Sequence, residues 1–196
     1  MSAKQPVSFG IKHSMWLGAS RFGLAGGIVF ATVDLGSEWL TRHLGIYGAY
    51  AFWALLFVLM GGGLFAPLVR GGNTLIRSYV LFSTSFLLYS AAWVSLYFAV
   101  GGITGEILGA VLGPALMAVG LHWTIKNWMA LPRTMLVLWG FHGAGYFLGR
   151  PLLALPGGQI GMISWGLLYG LCLGAGMGLA LFIGQNTDNG REKRHL

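Results

Sequence analysis

Six long apolar runs divide almost the whole chain, at 15–40, 46–69, 75–100, 106–125, 135–155 and 160–184, each bounded by charged residues or by Gly/Pro turns. At 1.5 Å of rise per residue, each run is long enough as a helix to cross a hydrocarbon layer of roughly 30 Å. A soluble fold would have to hide all six inside one small core, which surface-to-volume scaling does not allow for a chain of this length. Only 9% of the residues are charged and 56% are hydrophobic, whereas a soluble domain carries about 25% charged residues. The expected fold is therefore all-α, a polytopic integral membrane helix bundle of about six transmembrane helices. It forms one membrane domain over 1–196, with a short basic inner tail at 185–196. The connections, of about five to ten residues, are too short to hold a soluble domain, and the lipid bilayer is the expected partner of most of the surface.

The formal charge is +7, from 12 Lys and Arg against 5 Asp and Glu. The basic residues stand singly or in small groups beside apolar runs, without the basic stripe and interleaved aromatics of a nucleic-acid surface, so no nucleic-acid partner is expected. Their placement reads instead as topology. With the N-terminus inside, ten of the twelve fall in inner segments (Lys4, Lys12, Arg21, Arg70, Arg77, Lys126, Arg133, Arg191, Lys193, Arg194) and two, Arg42 and Arg150, in outer loops. That bias predicts both termini inside; a bacterial inner (cytoplasmic) membrane is the expected location. The first run contains Arg21, Asp34 and Glu38, unlike a cleaved signal, and reads as a retained span. Trp16, Trp39, Trp123 and Trp128 fall near predicted span ends, where indoles sit well at headgroup level, while Trp53, Trp93, Trp139 and Trp165 lie deeper.

There are 33 glycines, which in lipid allow helix backbones to approach closely. The fourth run carries Gly105, Gly109 and Gly113, and the sixth Gly166, Gly170, Gly174 and Gly178, all at four-residue spacing. Gly23 with Gly27 and Gly145 with Gly149 are shorter versions. These stripes suit close packing within the bundle, against a neighbouring protein in a homo-oligomer or membrane complex, or against a flat pigment or sterol. Gly61, Gly62 and Gly63 ahead of Pro67 make the second run the best candidate for a hinge, and Pro114 predicts a kink in the fourth. Trp53-Ala-Leu-Leu-Phe weakly resembles Trp165-Gly-Leu-Leu-Tyr, which reads as an apolar coincidence ahead of a duplication trace.

Ionisable residues within a span carry a desolvation cost and are functional candidates for that reason. Asp34, Glu38, Arg42, Glu106 and Arg150 are expected to form a charge cluster at the outer end. Its bland form is an i,i+4 pair of Glu38 with Arg42 plus interfacial salt bridges; its sharper form is a proton- or cation-attracting vestibule with Asp34, the deepest acid, in the coupling role. His142 lies near the middle of the fifth run. A haem held between His122 and His142 fares poorly, because the two sit at different depths, and no cofactor is expected. Ser83, Ser90 and Tyr97 at seven-residue spacing line one side of the third run.

The lone Cys172 cannot build a disulfide or a cysteine metal site, and no metal site is expected. No dinucleotide fingerprint, P-loop, HExxH pair or nucleophile–histidine–acid set is present, so enzyme chemistry has little support and no catalytic residue is assigned. The sequence points to a small-solute or ion (proton or cation) channel or transporter. The alternative is a non-catalytic accessory, structural or assembly subunit of a larger membrane complex.

Overall fold

Two glycines set the topology. The computed structural model describes residues 10–155 and 158–186, and every regular element among them is helical. The first helix, α1 (Ile11–Phe65), breaks at Gly45, where φ is 68° and ψ 172°. Gly101 repeats this conformation, at φ 71° and ψ 169°, between α2 (Thr74–Val100) and α3 (Gly102–Ile125). An L-residue with a Cβ is nearly excluded from that region, so a glycine there can turn a helix back in a single residue. The connections expected to run over about five to ten residues shrink at these two points to a single glycine.

A 3-10 turn, Ala66–Leu68, follows α1, and another, Trp128–Ala130, precedes α4 (Leu131–Gly149). A third, Arg150–Ala154, leads toward α5 (Gln159–Asn186). Because α1 folds back at Gly45, five helices supply six antiparallel legs. Gly45, Gly101 and Arg150 lie at one end of the bundle, and Arg70, Lys126 and Asn186 at the other. Four helices, α1 extended to Leu68, α2, α3 and α5, are long and apolar enough to cross a membrane. The 19-residue α4 is not among them. The tail expected at 185–196 lies outside the described residues from position 187 onward.

The glycine stripes are consumed inside the chain. A Cβ built on Gly18, Gly26, Gly166, Gly174 or Gly178 would collide with backbone carbonyl oxygen of the facing helix, so α1 and α5 pack backbone to backbone along that length. Of the expected pair on α1, Gly23 is tight, a Cβ there standing 2.8 Å from the Leu171 side chain, while a Cβ on Gly27 would come no closer than 3.8 Å to Leu167; the backbone-to-backbone approaches are at Gly18 and Gly26. On α3, a Cβ at Gly105, Gly109 or Gly113 would stand 2.9 Å from Leu96, Trp93 or Tyr89 of α2, respectively. Gly145 and Gly149 of α4 face Cys172 and Trp165 of α5 in the same way.

The expected hinge at Gly61–Gly63 is continuous helix. Gly61 and Gly62 make room for the rings of Phe82 and Tyr79, which occupy the space their side chains would take. Pro114 likewise sits inside an unbroken α3.

Mid-bundle, Phe22, Phe65 and Phe82 are almost wholly buried. Phe22 has its ring centroid 5.4 Å from Phe57, 5.7 Å from Phe65 and 5.6 Å from Phe82. At the Arg70 end, polar contacts fasten the chain to the last turn of α5. The Arg70 backbone N–H donates to Gln185 Oε1 at 2.7 Å, the Arg70 guanidinium to Asn186 Oδ1 at 2.6 Å, and Asn127 Nδ2 to the Gly184 carbonyl at 2.8 Å. Large apolar side chains such as Leu35, Leu136 and Leu148 stand fully outward, as they would against lipid.

Candidate functional site

The glycines that bring α3 and α4 close to their neighbours also create space for aromatic rings. Along α2, Phe82, Phe86, Tyr89, Trp93 and Tyr97 recur every three or four residues and so share one helix face. Tyr89 and Trp93 rest on Gly113 and Gly109 of α3, and Trp165 of α5 rests on Gly149 of α4. With side chains this large on facing helices, the legs cannot close completely toward the Gly101 end. A cavity of about 430 Å³ remains between α1, α2 and α5, with Glu106, Tyr146 and Arg150 completing its wall. Small-molecule sites typically span roughly 300–1,000 Å³ and are mostly apolar with a few placed polar groups.

The wall is a continuous aromatic surface. Trp93 stacks on Tyr97 at 5.1 Å and meets Tyr146 edge-on at 5.7 Å; Tyr146 meets Trp165 at 5.5 Å, and Trp165 meets Phe30 at 5.2 Å. Edge-to-face pairs of this kind contribute about 0.5–1.5 kcal/mol each beyond burial. Toward mid-bundle the cavity ends on Phe57 and Phe86, with the buried Phe22, Phe65 and Phe82 behind them. Beyond this phenyl plug, at the Arg70 end, lies a second cavity of about 290 Å³, lined by Ser14, Pro67, Arg70, Thr74 and Gln185 among others.

Polar groups enter the aromatic cavity at two places. At the Gly101 end, Arg150 Nη1 donates to Glu106 Oε2 at 2.7 Å, with the carboxylate side chain 11% exposed and the guanidinium 49%. Deeper in, the Tyr89 and Tyr169 hydroxyl oxygens are 2.6 Å apart, and Tyr169 Oη is 3.1 Å from His142 Nδ1. His142 lies behind the cavity wall, fully buried, stacked at 5.9 Å on Tyr146 and edge-on to Tyr89 at 5.4 Å. Among the described residues, His142 Nε2 and the indole nitrogens of Trp53 and Trp93 are buried without a hydrogen-bond partner. Ser78 Oγ and His122 Nδ1, away from the cavity, share that condition, but the indoles of Trp53 and Trp93 belong to the cavity lining, where an occupant can meet them. A buried unsatisfied polar group costs about 1–3 kcal/mol.

The structure thus divides the residues singled out in the sequence. Glu106 and Arg150 share the cavity wall, and His142 reaches it through Tyr169. Glu38 and Arg42 form their own i,i+4 pair at 2.6 Å with both side chains largely exposed, away from the cavity lining. Asp34 is half-buried, is absent from the cavity lining, and makes no ion pair or side-chain hydrogen bond among the described residues. The charged residues at this end therefore take the expected bland form, an i,i+4 pair of Glu38 with Arg42 and an interhelical bridge between Glu106 and Arg150, with Asp34 in neither. His122 bonds Thr134 at 2.9 Å, in the half of the bundle toward Lys126. Of the expected hydroxyl stripe, Ser90 and Tyr97 line the cavity and Ser83 does not, and Ser90 also donates to the Leu87 carbonyl of its own helix. No group of three His, Cys, Asp or Glu among the described residues could hold a metal ion.

Tyr89, Tyr169 and Trp53 carry the cavity and were not singled out as site residues. Two signals in the sequence pointed to them. One is the aromatic face of α2. The other is the likeness of Trp53-Ala-Leu-Leu-Phe to Trp165-Gly-Leu-Leu-Tyr, since both segments place their two aromatic residues, Trp53 with Phe57 and Trp165 with Tyr169, on the cavity wall. Comparison with known proteins finds no matching family model, no matching curated protein and no matching solved structure.

Proposed function

We propose that this protein is a multi-pass membrane carrier for a small solute, which enters the aromatic cavity from the Gly101 end. The observation that carries the reading is the placement of two cavities toward opposite ends of one bundle, separated by the Phe22–Phe65–Phe82 plug. A carrier needs a site reachable from one side and a barrier toward the other. An open ion channel needs a continuous polar path, and a plug of phenyl rings is not one. All six legs cross the bilayer in this reading, α4 among them, because His142 and Thr134 on α4 are buried against neighbouring helices and so cost little against lipid. The ten-to-two basic bias puts both termini inside, and a bacterial inner membrane fits that orientation.

The accessory-subunit alternative rests on very short connections, high aromatic content and glycine faces without clear catalytic residues. Those faces are occupied by the chain's own helices, which leaves the carrier reading ahead.

Ala54 lines the cavity, and Ala54→Trp is the substitution chosen to fill it. Native mass spectrometry of the gently solubilised protein should find a small-molecule adduct, or reconstituted vesicles should take up small apolar solutes, and Ala54→Trp should abolish both while keeping the helical content. Adduct and uptake that persist in a folded Ala54→Trp protein would remove the cavity from the function.

A further inference from the structure

The deep end of the aromatic cavity has a direction, set by hydrogen-bond valence. Tyr89, Tyr169 and His142 form a line in which Tyr169 touches both neighbours and Tyr89 touches only Tyr169. Each hydroxyl has one proton to give, and a neutral imidazole has one N–H and one bare nitrogen. Two head-to-tail polarities run along the line. A third arrangement, with both neighbours donating to Tyr169, would force the Tyr169 proton into a third direction around an oxygen that already has two partners. If His142 carries its proton on Nε2, that N–H is buried with no acceptor among the described residues, and the Tyr89 proton is spent on Tyr169. If the proton is on Nδ1, Nδ1–H donates to Tyr169, Tyr169 donates to Tyr89, and Nε2 is left only as a bare lone pair. Each polarity leaves one donor unmet: the first seals it at His142 Nε2, fully buried and off the cavity lining, whereas the second puts it on Tyr89, which lines the cavity and where an occupant can meet it. The second polarity is favoured, and in it the Tyr89 O–H has no acceptor among the described residues.

The rest of the wall has the same bias. The indole N–H groups of Trp53 and Trp93 lack acceptors. Arg150 has donors to spare beyond its bond to Glu106, and the one carboxylate on the wall, Glu106, is already held by that guanidinium at 2.7 Å. Its charge is thereby cancelled, which removes the reason for a cation to settle there despite the ring faces.

We propose that the cavity selects a neutral, mainly aromatic or apolar molecule bearing an acceptor-only oxygen, such as a ketone or quinone carbonyl, which receives the Tyr89 hydroxyl proton as a hydrogen bond at the deep end. This rests on the solute-binding reading above and names the solute's chemistry. Tyr169 and His142 act as positioning residues, since they fix which way the Tyr89 hydroxyl points.

The test uses two probes of nearly the same shape, 2-acetylnaphthalene, which has a carbonyl, and 2-isopropenylnaphthalene, which has a methylene in its place. Binding to the full-length protein in nanodiscs is measured by equilibrium dialysis, after subtraction of empty nanodiscs. The ketone should bind about five- to tenfold more tightly, the worth of one ordinary hydrogen bond. Tyr89→Phe should erase that ratio and leave the affinity for the hydrocarbon probe unchanged. Equal affinities in the native protein, or a ratio that survives Tyr89→Phe, would overturn the proposal. Where both probes bind equally and Ala54→Trp expels both, this inference alone falls; where neither probe binds, or Ala54→Trp leaves both bound, the cavity reading falls with it. An independent arm is ¹⁵N NMR of the imidazoles, with the His142 signals assigned by their loss in His142→Gln. A proton on Nδ1 is expected, and a proton on Nε2 would overturn the polarity.

Discussion

Arg150 Nη1 sits 2.7 Å from Glu106 Oε2, joining the end of α4 to the start of α3 across the mouth of the aromatic cavity. The two partners are not equally placed, because the carboxylate side chain is 11% exposed and the guanidinium 49%. Removing Arg150 leaves a buried charge uncompensated, whereas removing the charge of Glu106 leaves an arginine that water can still solvate. Arg150→Met should therefore destabilise the protein by about 3 kcal/mol, and Glu106→Gln by no more than about 1 kcal/mol. The double variant should recover most of the loss. Thermal unfolding in detergent checks the order, and equal losses from the two single variants would contradict it.

Asp34 is the acid the sequence points to first, as the deepest carboxylate and the one given the coupling role. With Arg150 held by Glu106, and with no ion pair or side-chain hydrogen bond to Asp34 among the described residues, its charge has nothing to lose by neutralisation. Asp34→Asn should keep folded yield and melting temperature within the ordinary scatter of surface changes, about 0.5 kcal/mol. A large fall in yield would show that Asp34 has a structural partner.

Glycines at the two one-residue turns should respond differently from glycines inside α4. Gly45 and Gly101 hold φ values of 68° and 71°, so Gly45→Ala and Gly101→Ala should each cost about 1–3 kcal/mol from backbone strain alone. Gly140 and Gly143 have open space where a Cβ would go; alanine there should be neutral or stabilising by up to about 1 kcal/mol. Melting temperatures of the four single variants settle it, and a tolerated Gly101→Ala would mean that the α2–α3 turn does not need its glycine.

Helicity, the apolar runs and the close-packing role of glycine were legible because each rests on local composition and on spacing along one helix. The pairing of stripes was not. Gly23 and Gly27 carry the four-residue spacing that marks a packing stripe, yet the register against α5 makes Gly23 tight and Gly27 loose and brings backbone to backbone at Gly18 and Gly26. The i,i+4 pair of Glu38 with Arg42 was legible along one helix. Equal depth does not imply equal azimuth around the bundle, so the place of Asp34 outside both ion pairs was not. His142 was legible as a buried ionisable group, but its link to Tyr169 and Tyr89 joins three helices, and nothing local in the sequence records that contact.

The α1–α5 contact gives the sharpest contrast between adjacent residues. A Cβ on Gly26 would run into the backbone of Gly166, while a Cβ on the next residue, Gly27, would stand 3.8 Å from a flexible Leu167 side chain. Backbone cannot move aside as a leucine rotamer can, so Gly26→Ala must push the two helices apart along their whole glycine stripe and lose close packing at Gly170 and Gly174 as well. Overpacking of this kind costs typically about 1–3 kcal/mol, whereas Gly27→Ala should be nearly silent. Because Phe30 rests on Gly166 and meets Trp165 at 5.2 Å, the displacement also reaches the cavity wall, and Gly26→Ala should weaken binding of 2-acetylnaphthalene where Gly27→Ala does not. Melting temperature and probe affinity measured on the same two variants test both links, and matching behaviour of the pair would mean that α1 meets α5 in a different register.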